Sequence, residues 1–144
     1  MNPAPEARPR AASALYLAWL IAIVATAGSL YFSEVRHFLP CTLCWYQRIL
    51  MYPLALVLAV GSWRGDLGSV RYAAPFVLLG LAVSAYHVGV QKIDGFGFPG
   101  VCRGGVPCDV AYIEWFGFVT IPVLSLTAFA LIAVALAVAV TGRR

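Results

Sequence analysis

The chain has 144 residues, 62% of them hydrophobic and only 11% charged, against roughly 45–50% and about 25% in a soluble domain. A water-soluble globular protein is therefore excluded. The formal charge of +4 comes from basic residues that mostly flank apolar blocks, which reports membrane topology and offers no basic face for nucleic acid.

Residues 1–13 are rich in Pro, Ala and Arg and lack a periodic apolar face, so a disordered cytoplasmic leader is expected. Residues 14–144 then form one membrane domain. Its apolar blocks fall at about 14–32, 43–61, 72–90 and 116–140, each approaching the roughly 20 residues that cross hydrocarbon as a helix. The expected fold is all-α, a four-transmembrane-helix bundle.

Two arginines before the first block and the small triplet Ala25-Thr26-Ala27 also fit a cleaved secretory signal. The apolar run continues through Leu30, Tyr31 and Phe32, however, which is the length of a span. A short outer connection, 33–40, leads to the second block, whose start suits Pro40. Pro53 falls mid-block and is expected to kink the helix.

Residues 62–71 read as a tight inner turn. The third block ends near His87 and Gln91, and the connection 92–113 that follows holds Gly95, Gly97, Pro99, Gly100, Gly104, Gly105 and Pro107. That density of breakers predicts mobile irregular backbone and no extra domain. The aromatic stretch Tyr112-Ile-Glu-Trp-Phe-Gly-Phe118 precedes the last block, at the interface depth that rings favour.

Alternating the four blocks across a bilayer gathers Arg8, Arg10, Arg64, Arg71, Arg143 and Arg144 on one side. By the positive-inside rule this side is the cytoplasm, so both termini are expected there. Both cysteine-bearing connections then face outward, where disulfides persist.

All four cysteines are on this outer side, Cys41 and Cys44 where the second block begins and Cys102 and Cys108 in the connection 92–113. Cys41 and Cys44 are three apart at a helix start, close enough for the usual disulfide Cα separation of about 4.4–6.8 Å. The positive helix end and Arg48, one turn on, favour a thiolate. A reactive dithiol is the leading reading; half of a zinc site or an inert clip are the others, and a clip across so short a loop constrains little chain.

Arg48 can snorkel to the headgroups, but a charge inside a span usually marks a functional site. Its place on the cysteine face favours function. His87 and Gln91, four apart, share a helix face. They either bond neighbouring elements, the commoner use of such residues, or bond the carbonyl oxygens of a flat lipid-soluble cofactor. Cys102 and Cys108 enclose a short glycine-containing loop, as a staple or as a disulfide open to another protein's thiolate.

The string Pro40-Cys-Thr-Leu-Cys-Trp-Tyr-Gln-Arg48, together with Tyr31-Phe-Ser-Glu-Val-Arg-His-Phe38, His87 with Gln91, and Trp115-Phe-Gly-Phe-Val-Thr-Ile-Pro-Val-Leu-Ser-Leu126, resembles the DsbB family of disulfide bond formation proteins, in its shorter BdbC-like branch. The resemblance implies a thiol:quinone oxidoreductase of the bacterial inner membrane. Its partner would be an extracytoplasmic DsbA-like thioredoxin-fold oxidase, and its acceptor a membrane quinone, ubiquinone or menaquinone, drawn from the lipid pool.

By that resemblance, the partner attacks the loop disulfide at Cys102, electrons pass from Cys102/Cys108 to Cys41/Cys44, and Cys44 faces the quinone beside Arg48, His87 and Gln91. A DsbA-type partner near about −120 mV needs an acceptor above that potential, which a quinone supplies. No metal is implied. Only six positions separate Cys102 from Cys108, fewer than in longer members, so a large loop movement is not expected. A vitamin K epoxide reductase-like enzyme would carry its dithiol on the last span, which here has no cysteine. A non-enzymatic zinc-binding or structural membrane protein would have no need of Arg48.

Overall fold

A computed structural model describes residues 9–98, 100–102 and 105–142. Four helices account for most of them: α1 (Pro9–Leu30), α2 (Thr42–Arg64), α3 (Val70–Lys92) and α4 (Ile121–Thr141). All four are long and apolar enough to cross a membrane, and no named strand occurs among the described residues.

Their arrangement follows from short connections. α1 packs on α2 and α4, and α3 packs on the same two, giving a square antiparallel bundle. The end of α4 at Gly142 lies beside Ala11 of α1, and Ser62 donates to the Leu15 carbonyl (3.3 Å). The α2–α3 turn therefore sits at the same end of the bundle as the start of α1 and the end of α4, with Arg10, Arg64 and Arg71; Arg8, Arg143 and Arg144 lie outside the described residues. Every cysteine is at the opposite end.

The core is built from small and branched side chains: Leu15, Ala18 and Ala22 of α1, Leu54 and Leu58 of α2, Val77 of α3, Phe129 and Ile132 of α4. Small residues let the backbones approach, as membrane helix packing requires when no hydrophobic gradient drives association. Gly80 of α3 is the sharpest case, because a Cβ there would land on the buried Phe129 ring. Facing outward, Val24 and Leu56 remain 70% and 71% exposed. Helices apolar all round belong in lipid.

Several boundaries differ from the sequence reading. Residues 9–13, expected as leader, form the first turns of α1, with Ser13 bonded back to the Pro9 carbonyl; residues 1–8 lie outside the described residues. α1 does not stop at residue 32, because a π turn (Tyr31–Val35) extends it before His37 turns at φ 53°. Pro53 lies within α2 without ending it. The last helix starts at Ile121, not 116: Trp115 and Val119 pair across a tight turn, with Phe116 and Gly117 at positive φ, and Pro122 occupies the first helical turn.

Candidate active site

Cys41 is the N-cap of α2, in extended conformation (φ −73°, ψ 174°), and its sulfur accepts the Cys44 backbone N–H at 3.4 Å. The thiol thus does what a Ser or Asp does at a helix start. The Cys44 sulfur lies 2.9 Å away, so both cysteines are free but poised for each other. The Cys44 thiol hydrogen bond holds Cys41 down, from 9.0 to about 4; burial opposes this and the His87 contact assists. The lowering thus falls on Cys41, and its main cause is Cys44, not Arg48.

Cys102 and Cys108 form a disulfide with Cα atoms 5.8 Å apart. The loop bearing them is not free of the bundle. Cys108 is only 2% exposed and packs in one buried cluster with Cys41 and Leu43, against which Cys44, Cys102 and Val101 also lie. All four cysteines therefore meet at the mouth of the bundle, with Cys102 on the more open side. Arg103 and Gly104 of this loop, like Pro99, lie outside the described residues.

Two residues of α3 hold the loop down. His87, 1% exposed, places Nε2 at 3.2 Å from the Cys108 carbonyl and 3.6 Å from the Cys41 sulfur. One turn on, Gln91 donates to the Val110 carbonyl (3.4 Å). Of the two readings of this pair, the geometry shows the one in which they bond neighbouring backbone. Neither residue lines the large cavity described next. They line a small cleft with Cys41, Cys44, Pro107 and Tyr112.

A cavity of about 540 Å³ opens on the other side of Cys44, between α1, α2 and α4. Cys44, Gln47 and Arg48 line it on the cysteine side, Ser29, Tyr52, Tyr112, Ser125 and Thr127 are its hydroxyl-bearing residues, and the other lining residues are apolar. Val24 and Leu131 belong to its rim and are also exposed on the outer helix faces, so the cavity opens onto the apolar surface of the bundle. Arg48 donates to the Ser29 carbonyl (3.0 Å) and lies over the Trp45 ring. It is anchored at the cavity wall and does not bond a cysteine.

The size suits a flat ligand of drug-like dimensions, for which pockets of about 300–1,000 Å³ are usual. The residues fit a quinone: a mostly apolar enclosure with one guanidinium, one thiol, one amide and several hydroxyls. Cys41, Cys44 and His87 also bring three metal-ligating atoms within 4.8 Å of one another. In this structure the two free thiols are hydrogen-bonded to each other and the imidazole is hydrogen-bonded to a carbonyl.

Gln47 belongs to the Cys41–Arg48 string, but the sequence alone assigns it no role. It is 6% exposed and its amide nitrogen lies 3.1 Å from His87 Nδ1. The available signal was its spacing: a polar residue inside a span, three after Cys44.

Two cysteine pairs gathered at one end of an apolar four-helix bundle, one pair touching a lipid-facing cavity, define a membrane thiol–disulfide oxidoreductase. Comparison with known proteins gives the family: residues 10–139 match "Disulfide bond formation protein DsbB", and the chain belongs to this family. It is 52% identical over 118 residues to disulfide bond formation protein C of Bacillus subtilis (strain 168), covering 82% of this chain and 86% of that one. It is 50% identical over 121 residues to probable disulfide formation protein C 1 of Bacillus cereus (84% and 87%). A probable disulfide formation protein of Coxiella burnetii is 47% identical over 115 residues (79% and 78%). These similarities place the chain on the BdbC-like branch. No solved structure shows a significant match. The chain is thus a multi-pass membrane protein of disulfide formation.

Proposed function

We propose that the protein is a thiol:quinone oxidoreductase that reoxidises a DsbA-like thioredoxin-fold partner outside the bacterial inner membrane, both of its termini being cytoplasmic. The observation that carries this reading is the packing of Cys108 against Cys41 while Cys44 borders the cavity. It supports an ordered path in which no cysteine has far to travel.

The partner's thiolate attacks Cys102, the more open sulfur, and Cys108 leaves as a thiolate. Buried beside Cys41, Cys108 attacks the Cys41–Cys44 disulfide at Cys41, and Cys44 is released at the cavity wall. The partner's second cysteine frees Cys102, which attacks Cys108, restores the loop disulfide and releases Cys41. The Cys41/Cys44 pair now holds the two electrons, the redox state seen here. A quinone bound in the cavity supplies the acceptor for these two electrons and two protons. Arg48, fixed by Ser29, presents a preorganised positive charge where negative charge develops, the arrangement that stabilises a transition state most effectively.

Counting partner thiols tests the reading. Reduced thioredoxin-fold oxidase mixed with the protein in detergent should lose two thiols per turnover only when a ubiquinone or menaquinone analogue is present. Loss of thiols at the same rate without quinone would argue for another acceptor.

A further inference from the structure

We propose that His87, fixed in one tautomer by Gln47, is a catalytic residue of the exchange between the two cysteine pairs, donating its Nε2 proton in a hydrogen bond to the leaving Cys41 thiolate while holding Cys108 in place. The proposal rests on the relay above and assigns His87 to the cysteines in place of the quinone.

Hydrogen-bond logic fixes the imidazole. The Cys108 carbonyl, 3.2 Å from Nε2, can only accept, so Nε2 carries hydrogen. The neutral ring then has a bare lone pair at Nδ1. The Gln47 amide nitrogen meets that lone pair at 3.1 Å, with Gln47 and His87 6% and 1% exposed. The opposite tautomer would set the Nε2 lone pair against both a carbonyl oxygen and the Cys41 sulfur in a water-poor site, which burial makes costly. Gln47 is therefore a positioning residue. It selects the tautomer whose Nε2–H, shared with the Cys108 carbonyl, also faces the reacting sulfur.

The same N–H is within reach of both exchanging residues. When Cys102 attacks Cys108 in the Cys41–Cys108 bridge, the Cys102–Cys108 bond forms, the Cys41–Cys108 bond breaks, and Cys41 leaves with the electron pair. Its charge falls 3.6 Å from Nε2, beside the Cys44 thiol and backbone N–H. The partner dithiol gives up two protons; one is recovered on Cys44 and the other goes to solvent. No additional oxidant is needed for this transfer. The other titratable groups at the cleft are Cys44 from α2 and Tyr112 from the loop, with Arg48 beyond Cys44 at the cavity.

Three variants test the assignment: His87→Leu, His87→Gln, which keeps an N–H donor, and Gln47→Met. In quinone-free reduced protein, iodoacetamide labelling of Cys41 across pH should show its apparent pKa raised by about one unit in His87→Leu, the scale of one lost hydrogen bond to a charged group. Gln47→Met should move it less in the same direction, and His87→Gln should restore most of the loss. Electron transfer from partner to the Cys41/Cys44 pair should slow about tenfold in His87→Leu, with the KM for quinone unchanged. A raised quinone KM with an unaltered labelling profile would overturn the proposal in favour of a quinone ligand. Unaltered profiles in both His87→Leu and Gln47→Met, each folded, would reduce the pair to packing. Failure of the relay itself would appear separately, as wild-type protein that cannot oxidise the partner while its labelling profile stays as predicted.

Discussion

The imidazole Nε2 of His87 lies 3.6 Å from the sulfur of Cys41, so a side chain from the third helix reaches the thiol that caps the second. Through the Cys108 carbonyl the same nitrogen also holds the loop disulfide. The two cysteine pairs are thus already in place for the proposed relay, whose chemistry can be probed one residue at a time.

The Cys41 thiol is depressed from 9.0 to about 4. A group lowered on folding binds fewer protons in the native state, so its stabilising contribution to the reduced protein is complete above 9.0 and is lost as pH falls through about 4. Labelling of Cys41 should stay level from neutral pH down toward that lower value, whereas urea-unfolded protein should lose reactivity below its ordinary thiol pKa. A native profile that tracks the unfolded one would remove the thiolate from the account.

Replacing Cys44 by Ser separates the two halves of the relay. Quinone reduction should disappear, since no disulfide can form at the cavity wall. Cys41 should still exchange with the loop: its thiolate attacks Cys108, the Cys102–Cys108 bond breaks and Cys102 leaves as a thiol, so mass spectrometry of the variant should find a Cys41–Cys108 bridge without any partner added. Retained quinone turnover would eliminate the dithiol.

Arg48→Ala removes a cavity charge together with the 3.0 Å bond to the Ser29 carbonyl. The KM for quinone should rise about tenfold and stability should fall by about 1 kcal/mol, typical of one hydrogen bond. Kinetics measured across quinone concentrations, beside a thermal melt, distinguish this from simple snorkelling, for which the quinone dependence would not change.

Gly80→Ala is a control on packing. The added methyl meets the fully buried Phe129 ring, and overpacking a tight core costs about 1–3 kcal/mol. The melting temperature in detergent should drop while the labelling profile of Cys41 stays put. An unchanged melt would mean that α3 and α4 separate more easily than their contacts suggest.

Much of this architecture is legible in the sequence because hydrocarbon imposes a single strong rule: about 20 apolar residues per helix, with charges outside. The four blocks and the two cysteine pairs could be read directly. Boundaries were harder. Phe116, Gly117 and Phe118 are as apolar as a helix interior, and only the paired backbone of Trp115 and Val119 shows that they form a turn. The loop's irregular backbone follows from its glycines and prolines, but the anchoring of the carbonyls at 108 and 110 by His87 and Gln91 does not, because long-range bonds carry no local signature. Gln47 was hidden in the same way, since its partner lies 40 residues away.

The central claim is that electrons cross from the loop pair to the cavity pair and then leave to a quinone. Anaerobic mixing of reduced thioredoxin-fold oxidase, purified protein and a quinone analogue, followed by the quinone's absorbance, tests it most directly. The account predicts one quinol formed per partner disulfide, with none when Cys102 and Cys108 are both replaced by Ala. Quinol formation at the wild-type rate in that double variant would contradict it.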